Sequence, residues 1–182
     1  MVKAILGICG GISAYKSAYL ASLMSKKSYE VKTIMTESAQ KFITPLTFKA
    51  LTKNNVYTDI FENSELKVNH TELSKWADVF IVAPATATTI AKIACGFADN
   101  LLNAVVLDFS GPVFLCPAMH SNMWNNKANK DNIEILRRRD IYILGPEKGD
   151  LAGGEKGPGR MLEPEAILDE VTDTLKKISF KK

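Results

Sequence analysis

Residues 70–100, HTELSKWADVFIVAPATATTIAKIACGFADN, constrain the fold more than any other stretch. Trp76, Ala77 and Asp78 lead into residues 79–83, an apolar, β-branched run without a charge. Such a run is expected of a strand buried on both faces of a parallel sheet. The pattern then predicts a sharp turn through Pro84-Ala85-Thr86-Ala87-Thr88-Thr89 and a helix over 90–94. A strand that ends in small and hydroxyl residues and then opens a helix leaves free N–H groups and a positive helix end facing a crevice. That crevice lies at the carboxyl edge of the sheet and suits an anion or a cofactor. His70 lies a short amphipathic segment upstream, placed to do chemistry beside a cofactor held by this loop.

The same order of strand, polar turn and helix recurs along the chain. Residues 4–9 predict a short strand, Gly10-Gly11-Ile12-Ser13 a turn, and 14–24 a helix. Glycines at such a turn let a phosphate approach the backbone, and Ser13 adds a hydroxyl. The adjacent glycines, with no third one following, lack the spacing of a dinucleotide fingerprint, so a plain tight turn stays open as a reading. Residues 31–35 predict a second strand that ends in Thr36-Glu37-Ser38-Ala39, the start of a helix over 39–43. There Thr36 or Ser38 serves as a cap, or Glu37 takes the position of an acid that holds a ribose. Pro45 opens a helix over 46–51, residues 56–58 form a short strand, and 59–69 read as a surface loop.

Beyond residue 100 the pattern predicts a helix over 101–107 and a strand over 112–116. That strand ends in Pro117-Ala118-Met119-His120-Ser121-Asn122-Met123-Trp124, followed by a helix over 127–138 and a strand over 141–144. Residues 145–160 are rich in glycine and carry Pro146 and Pro158, which predicts a long loop acting as a mobile flap over a site. A helix over 164–177 closes the chain. This alternation implies an α/β fold of three αβα layers around a Rossmann-like parallel sheet in the order 3-2-1-4-5-6. With no repeat and no linker, a single domain over 1–182 is expected. The special residues at 10–13, 36–38, 84–89 and 117–123 then converge on one carboxyl edge. That convergence weighs more than any one motif.

Composition excludes several classes. The chain has 182 residues, 46% hydrophobic and 24% charged, ordinary proportions for a soluble domain. No apolar run is long enough to span a bilayer and the amino terminus lacks a signal-peptide pattern, so a cytoplasmic location and no membrane partner are expected. A net charge of +3 is too mild for a nucleic-acid binder, and Arg137-Arg138-Arg139 reads as the solvated end of a helix. Of the 3 cysteines, Cys9 and Cys116 lie in strand-like runs and are expected to be buried free thiols. With only 2 histidines and no clustered ligands, no metal site is expected. His70 taken alone reads more readily as a surface or capping residue than as a catalyst. His120, directly after a strand end, is placed to line the crevice, and an imidazole titrates near neutral pH.

Together, several motifs resemble the homo-oligomeric flavin-containing cysteine decarboxylases, over residues 5–164. They are Gly10-Gly11-Ile12-Ser13-Ala14-Tyr15-Lys16, His70 ahead of Trp76-Ala77-Asp78, and Ala83-Pro84-Ala85-Thr86-Ala87-Thr88-Thr89-Ile90. The others are Gly96-x-Ala98-Asp99-Asn100-Leu101, Pro117-Ala118-Met119-x-x-x-Met123-Trp124 and Gly157-Pro158-Gly159-Arg160. Within the family the resemblance points to the branch that decarboxylates 4'-phosphopantothenoylcysteine to 4'-phosphopantetheine in coenzyme A biosynthesis. It implies bound FMN, with Gly11, Ile12 and Ser13 at the phosphate and Ser38, Ala85, Thr86, Thr88, Thr89 and Ala118 around the rest. It implies His70 as the catalytic base, and Asn100, His120, Met123 and Arg160 as substrate contacts. The implied carboxy-lyase reaction oxidises a cysteine thiol, expels CO2 and returns the electrons, so no nicotinamide is needed. Homotrimers or dodecamers of trimers are implied, as is a phosphopantothenoylcysteine synthetase, separate or fused.

Two departures from the family pattern bear on the chemistry. Position 120 is His where Asn is commonest; both side chains bond a carboxylate, but His can also carry charge. Gly153 stands where the flap usually has a proton-donating cysteine. The reductive half then needs another donor or water, or the reaction stops at an enethiol, as in oxidative peptidyl-cysteine decarboxylases. A non-enzymatic FMN-binding regulator is the further alternative, although such relatives carry acidic tails and residues 178–182 are basic.

Overall fold

The strand β4 (Val79–Ala85) is buried at every position, as an uncharged run must be when both faces of its sheet are covered. It lies next to β1 (Val2–Ile8), in parallel, with Ala4 to Gly7 opposite Val79 to Val82. In this computed structural model, which describes residues 1–61 and 69–179, the chain continues from β1 through α1 (Ala14–Lys26), β2 (Tyr29–Met35), α2 (Pro45–Thr52) and β3 (Val56–Tyr57). After α3 (Asn69–Trp76) and β4 come α4 (Ala87–Cys95), α5 (Leu101–Asp108), β5 (Val113–Pro117), α6 (Ser121–Asn125), α7 (Lys127–Arg138) and β6 (Tyr142–Ile143). The strands β7 (Glu147–Asp150) and β8 (Lys156–Arg160) precede the last helix, α8 (Pro164–Ser179). The central sheet is parallel, in the order β3-β2-β1-β4-β5-β6, as expected.

The strand period of two divides the core between the faces. Ala4, Leu6 and Ile8 of β1 join Val79, Ile81, Phe114 and Cys116 on one side, under Leu20 and Met24 of α1 and Leu168 and Val171 of α8. Ile5, Phe80, Val82 and Leu115 point the other way, under Ile90 of α4, Leu102 and Val105 of α5 and Leu136 of α7. These are the three αβα layers. Between β1 and β4 the chain switches from winding one way along the sheet to winding the other. In an open α/β sheet that switch opens a crevice at the carboxyl ends of the strands.

Local chemistry sets the ends of the helices beside the crevice. Thr86 caps α4 by accepting the Thr89 N–H at 3.4 Å. Gly96, in the left-handed region at φ +74°, ends the helix, and Asn100 starts α5 by accepting the Asn103 N–H at 3.0 Å.

The structure corrects three sequence expectations and adds one element. Residues 39–43 are not a helix: only Ala39–Lys41 make a 3-10 turn, because Pro45 forces Thr44 to extended backbone (φ −86°, ψ 152°). Pro84 and Ala85 belong to β4 rather than to a turn. The pairing with β5 shifts register between Val82 and Ala85, which accommodates a residue with no N–H to give. Residues 145–160 are an antiparallel hairpin rather than an irregular loop, with Glu147 opposite Arg160 and Gly149 opposite Gly157. Residues 121–125 form the short helix α6, for which the sequence held no expectation. Most of the expected surface loop at 59–69 lies outside the described residues, and residue 69 itself opens α3. No helix among the described residues is long and apolar enough to cross a membrane.

Candidate active site

Two cavities open at the carboxyl edge, one on either side of the Gly10-Gly11 turn. The larger, about 680 Å³, lies beyond the ends of β1, β2 and β4, and Ser38, Thr86, Thr88, Thr89, Asn100 and Met123 help to line it. The smaller, about 470 Å³, lies under the hairpin, against Gly11, Ser13, Lys16, Ala118, His120 and Arg160. The residues anticipated from the sequence are therefore divided between two neighbouring spaces.

In the larger cavity the hydroxyls differ in how far they are committed. Thr86 donates to Thr89 Oγ1 at 3.2 Å, and the buried Cys9 thiol donates to the same oxygen at 3.2 Å. Ser38 makes no capping bond with its side chain; Thr36 Oγ1 accepts the Ala39 N–H instead, at 3.3 Å. Thr88 is exposed, and Met123 is half exposed at 50%. Asn100 spends its side-chain oxygen on the cap of α5, which leaves its NH2 group to donate. Burial pushes the Cys9 thiol up, so it stays protonated.

In the smaller cavity Ser13 stands at the start of α1 without a side-chain capping bond, and Ile12 beside it is exposed. A Cβ on Gly11 would meet no atom within 4 Å, so the missing side chain leaves open space against the backbone. The first N–H groups of α1 bond back into this turn, Ala14 to Gly11 O and Lys16 to Ser13 O, both at 3.0 Å. Lys16, nearly all buried, donates to Met161 O at 3.2 Å and to Glu163 Oε1 at 2.8 Å. Arg160 pairs with the same carboxylate. Glu163 is held below the usual carboxylate range, chiefly by the hydrogen bond from Lys16 and then by that from Arg160. His120 is the N-cap residue of α6, and its Nε2 lies 3.2 Å from Glu155 Oε2 on the hairpin turn.

Two anticipated residues stand outside both walls. Ala85 is fully buried in β4, where its carbonyl accepts the Ala118 N–H at 3.1 Å and ties the ends of β4 and β5 together. His70 is partly buried in the first turn of α3, with Nδ1 enclosed and no hydrogen-bond partner among the described residues. Glu37 is exposed and lines the larger cavity. The Lys16–Glu163 pair carried no expectation from the sequence. Its one signal there is a lysine among the inward positions Ala14, Ser17, Leu20 and Ala21 of α1. Arg139 is not merely solvated, since it donates to Ala94 O at 2.7 Å near the end of α4. Cys9 and Cys116 are buried free thiols, as expected, and Cys95 is exposed. No cluster of metal-ligating side chains occurs among the described residues.

The residues present fit a flavin bearing a phosphate. Open backbone at Gly11 and a Ser13 hydroxyl that makes no capping bond, in the turn that leads into α1, suit a phosphoester. Ser38 and Thr88 offer further hydroxyls across the turn.

Comparison with known proteins agrees with this fit. The family model described as Flavoprotein matches residues 1–176. The coenzyme A biosynthesis bifunctional protein CoaBC of Vibrio vulnificus (strain YJ016) is 45% identical over 167 residues, which is 91% of this chain and 42% of that protein. The chain thus spans less than half the length of the curated relatives it matches. Among solved structures, a mutant PPC decarboxylase complexed with pantothenoylaminoethenethiol superposes with a TM-score of 0.85 at 30% identity, covering 96% of this chain and 98% of that one. The FMN-dependent cysteine decarboxylase SpaF gives a TM-score of 0.82 at 29% identity, covering 92% and 93%. With a family match over nearly its whole length and a site that fits the cofactor, the chain belongs to the flavoprotein family, and its cofactor is a flavin.

Proposed function

We propose that this chain binds FMN and decarboxylates 4'-phosphopantothenoylcysteine to 4'-phosphopantetheine, a carboxy-lyase step of coenzyme A biosynthesis. The observation that carries the reading is the pair of adjoining cavities at the switch between β1 and β4, one rich in hydroxyls and one roofed by a hairpin. The likeness to PPC decarboxylase over 98% of that chain supports it. Bound FMN supplies a two-electron acceptor for the substrate thiol and gives the electrons back once CO2 has left.

In this reading Gly11, Ile12 and Ser13 hold the phosphate through backbone and hydroxyl donors. Ser38, Thr86, Thr88 and Thr89 orient the remainder of the cofactor, Ala118 lines the smaller cavity, and Ala85 acts from behind by holding the Ala118 amide. Asn100 and Met123 meet substrate from the larger cavity, and His120 and Arg160 meet it from the smaller. His70 takes a proton at Nε2, the ring nitrogen opposite the enclosed Nδ1. His70 lies outside both walls of its own chain, so it is proposed to reach substrate through assembly, as trimers or dodecamers of trimers. The bifunctional relatives support a synthetase partner, fused or separate, and the reading places the work in the cytoplasm within one domain.

One observation favours a second reading. The hairpin turn presents Ala152 and Gly153 to the smaller cavity, neither of which can donate a proton from a side chain. A chain that released the oxidised enethiol would act as an oxidative peptidyl-cysteine decarboxylase, and the likeness to SpaF is compatible with that. An anaerobic visible spectrum before and after adding 4'-phosphopantothenoylcysteine, with the mass of the product, decides the matter. A flavin spectrum that recovers, with formation of 4'-phosphopantetheine, is expected. A flavin that stays bleached, with a product two hydrogens lighter, selects the second reading. No bound flavin after addition of FMN removes both.

A further inference from the structure

Two cations line the smaller cavity, Lys16 and Arg160, and both are already paired with one carboxylate, Glu163. Asp150, also in the wall, faces Lys156 at 3.5 Å. His120 is different. Its backbone carbonyl starts α6 by accepting the Trp124 N–H at 3.0 Å, while its imidazole makes no capping bond. The imidazole meets Glu155 of the hairpin turn at 3.2 Å.

Glu155 is mounted unlike Glu163. Glu163 directly precedes α8 and is fastened by two charged donors. Glu155 closes the turn of the hairpin through its backbone carbonyl, which accepts the Leu151 N–H at 2.8 Å, and its side chain is 64% exposed. The turn passes the imidazole with no side chain between them: a Cβ on Gly153 would sit 3.8 Å from His120 Nε2. A carboxylate on an exposed turn therefore rests against the one imidazole that lines this cavity.

The substrate of the decarboxylase reading, on which this inference rests, brings its own carboxylate, the group that departs as CO2. We propose that Glu155 is a resident competitor of the substrate carboxylate for His120, displaced when substrate binds and restored when the carboxylate is gone. His120 is then a specificity residue whose selectivity is set against an internal rival. Ligands with the carboxylate must displace Glu155 to bind, whereas decarboxylated ones need not. The exchange swaps one imidazole–carboxylate contact for another, so it adds discrimination without consuming a cavity cation.

The test uses the flavin-loaded protein, its Glu155→Gln and His120→Asn variants and the double variant. The ligands are 4'-phosphopantothenoylserine, which keeps the carboxylate but has no thiol to oxidise, and 4'-phosphopantetheine, which lacks the carboxylate. Calorimetry is expected to show the serine analogue binding about threefold to fivefold more tightly to Glu155→Gln than to the native protein, the size of an exposed ion pair. Binding of 4'-phosphopantetheine should not change. In the His120→Asn background, Glu155→Gln should change neither ligand. Hydrogen exchange at the Leu151 and Gly154 amides should rise with the serine analogue and not with 4'-phosphopantetheine. Equal or weaker binding of the serine analogue to Glu155→Gln, or an equal gain for both ligands, overturns the proposal. Native protein that turns over 4'-phosphopantothenoylcysteine while either of these results holds leaves the decarboxylase reading standing. Native protein that binds neither ligand and shows no turnover ends both.

Discussion

At the scale of single residues, Gly11 and His70 separate binding from chemistry. A methyl group at Gly11 would enter open space rather than the packed interior. Gly11→Ala is therefore expected to leave the melting temperature within about 2 °C of native, since it touches nothing in the fold. It should weaken flavin binding about tenfold or more, read by fluorescence titration of flavin-free protein. Unchanged affinity would move the phosphate away from this turn. His70→Asn has the opposite signature, full flavin content with turnover lowered at least about a hundredfold, the range typical for loss of a general base. Substantial activity in that variant would remove His70 from the mechanism. His70 is proposed from the family resemblance, through its place before Trp76-Ala77-Asp78. The sequence could not make Lys16 and Glu163 legible as partners, because a contact between residues so far apart in the chain exists only once α1 and α8 have packed.

At the scale of elements, α1 and α8 share one charged clamp, and the hairpin is fastened beside it. Glu163 has its folded-state pKa below the ordinary 4.5, with the Lys16 hydrogen bond as the leading cause. A depressed carboxylate adds stability that is complete above its unfolded value and is lost as pH falls through the lower folded value. Glu163→Gln should accordingly melt several degrees below native at neutral pH, and the gap should close as the solution is taken below about pH 4. A gap that stayed constant down to about pH 2 would mean the carboxylate's charge is not what joins the helices. The hairpin depends on closeness of a different kind. Gly159 has φ +139°, a Cβ there would lie 2.0 Å from Met119 O, and its carbonyl accepts the Met119 N–H at 3.0 Å. Gly159→Ala should lift the hairpin from the end of β5, at a cost of about 1–3 kcal/mol, and speed proteolysis between residues 147 and 160. This element escaped the sequence because strand propensity is nearly absent from it. Lys156-Gly157-Pro158-Gly159-Arg160 has no alternating apolar face, and its pairing is supported by backbone contacts to the neighbouring strand end.

At the scale of the whole molecule, the layers were legible because a doubly covered parallel sheet demands long uncharged runs, which Ile5, Leu6, Phe80, Ile81, Phe114 and Leu115 supply on alternating faces. The observed strand order is one of the doubly wound orders that connection rules allow a chain of this alternation. Unreadable from periodicity was the division of the carboxyl edge into two spaces, since that depends on where turns rest in three dimensions. The two cores also predict thiol behaviour. Cys9 and Cys116 are buried, and burial pushes both thiols up, whereas Cys95 is exposed. A disulfide reagent should modify one thiol per chain promptly and the other two only on unfolding. Prompt reaction of a second thiol would show that the sheet opens locally near β1 or β5.

The hairpin β7–β8 is a two-stranded sheet of its own, outside the hydrogen-bonded ladder of the central six strands. It meets the rest of the molecule at a few named points, the Met119 amide, His120 and Glu163. Insertions or replacements within 147–160 therefore leave every rung of the central ladder and the larger cavity in place. A lineage can rewrite which molecules are admitted by editing a single contiguous segment, while the machinery beneath is inherited unchanged.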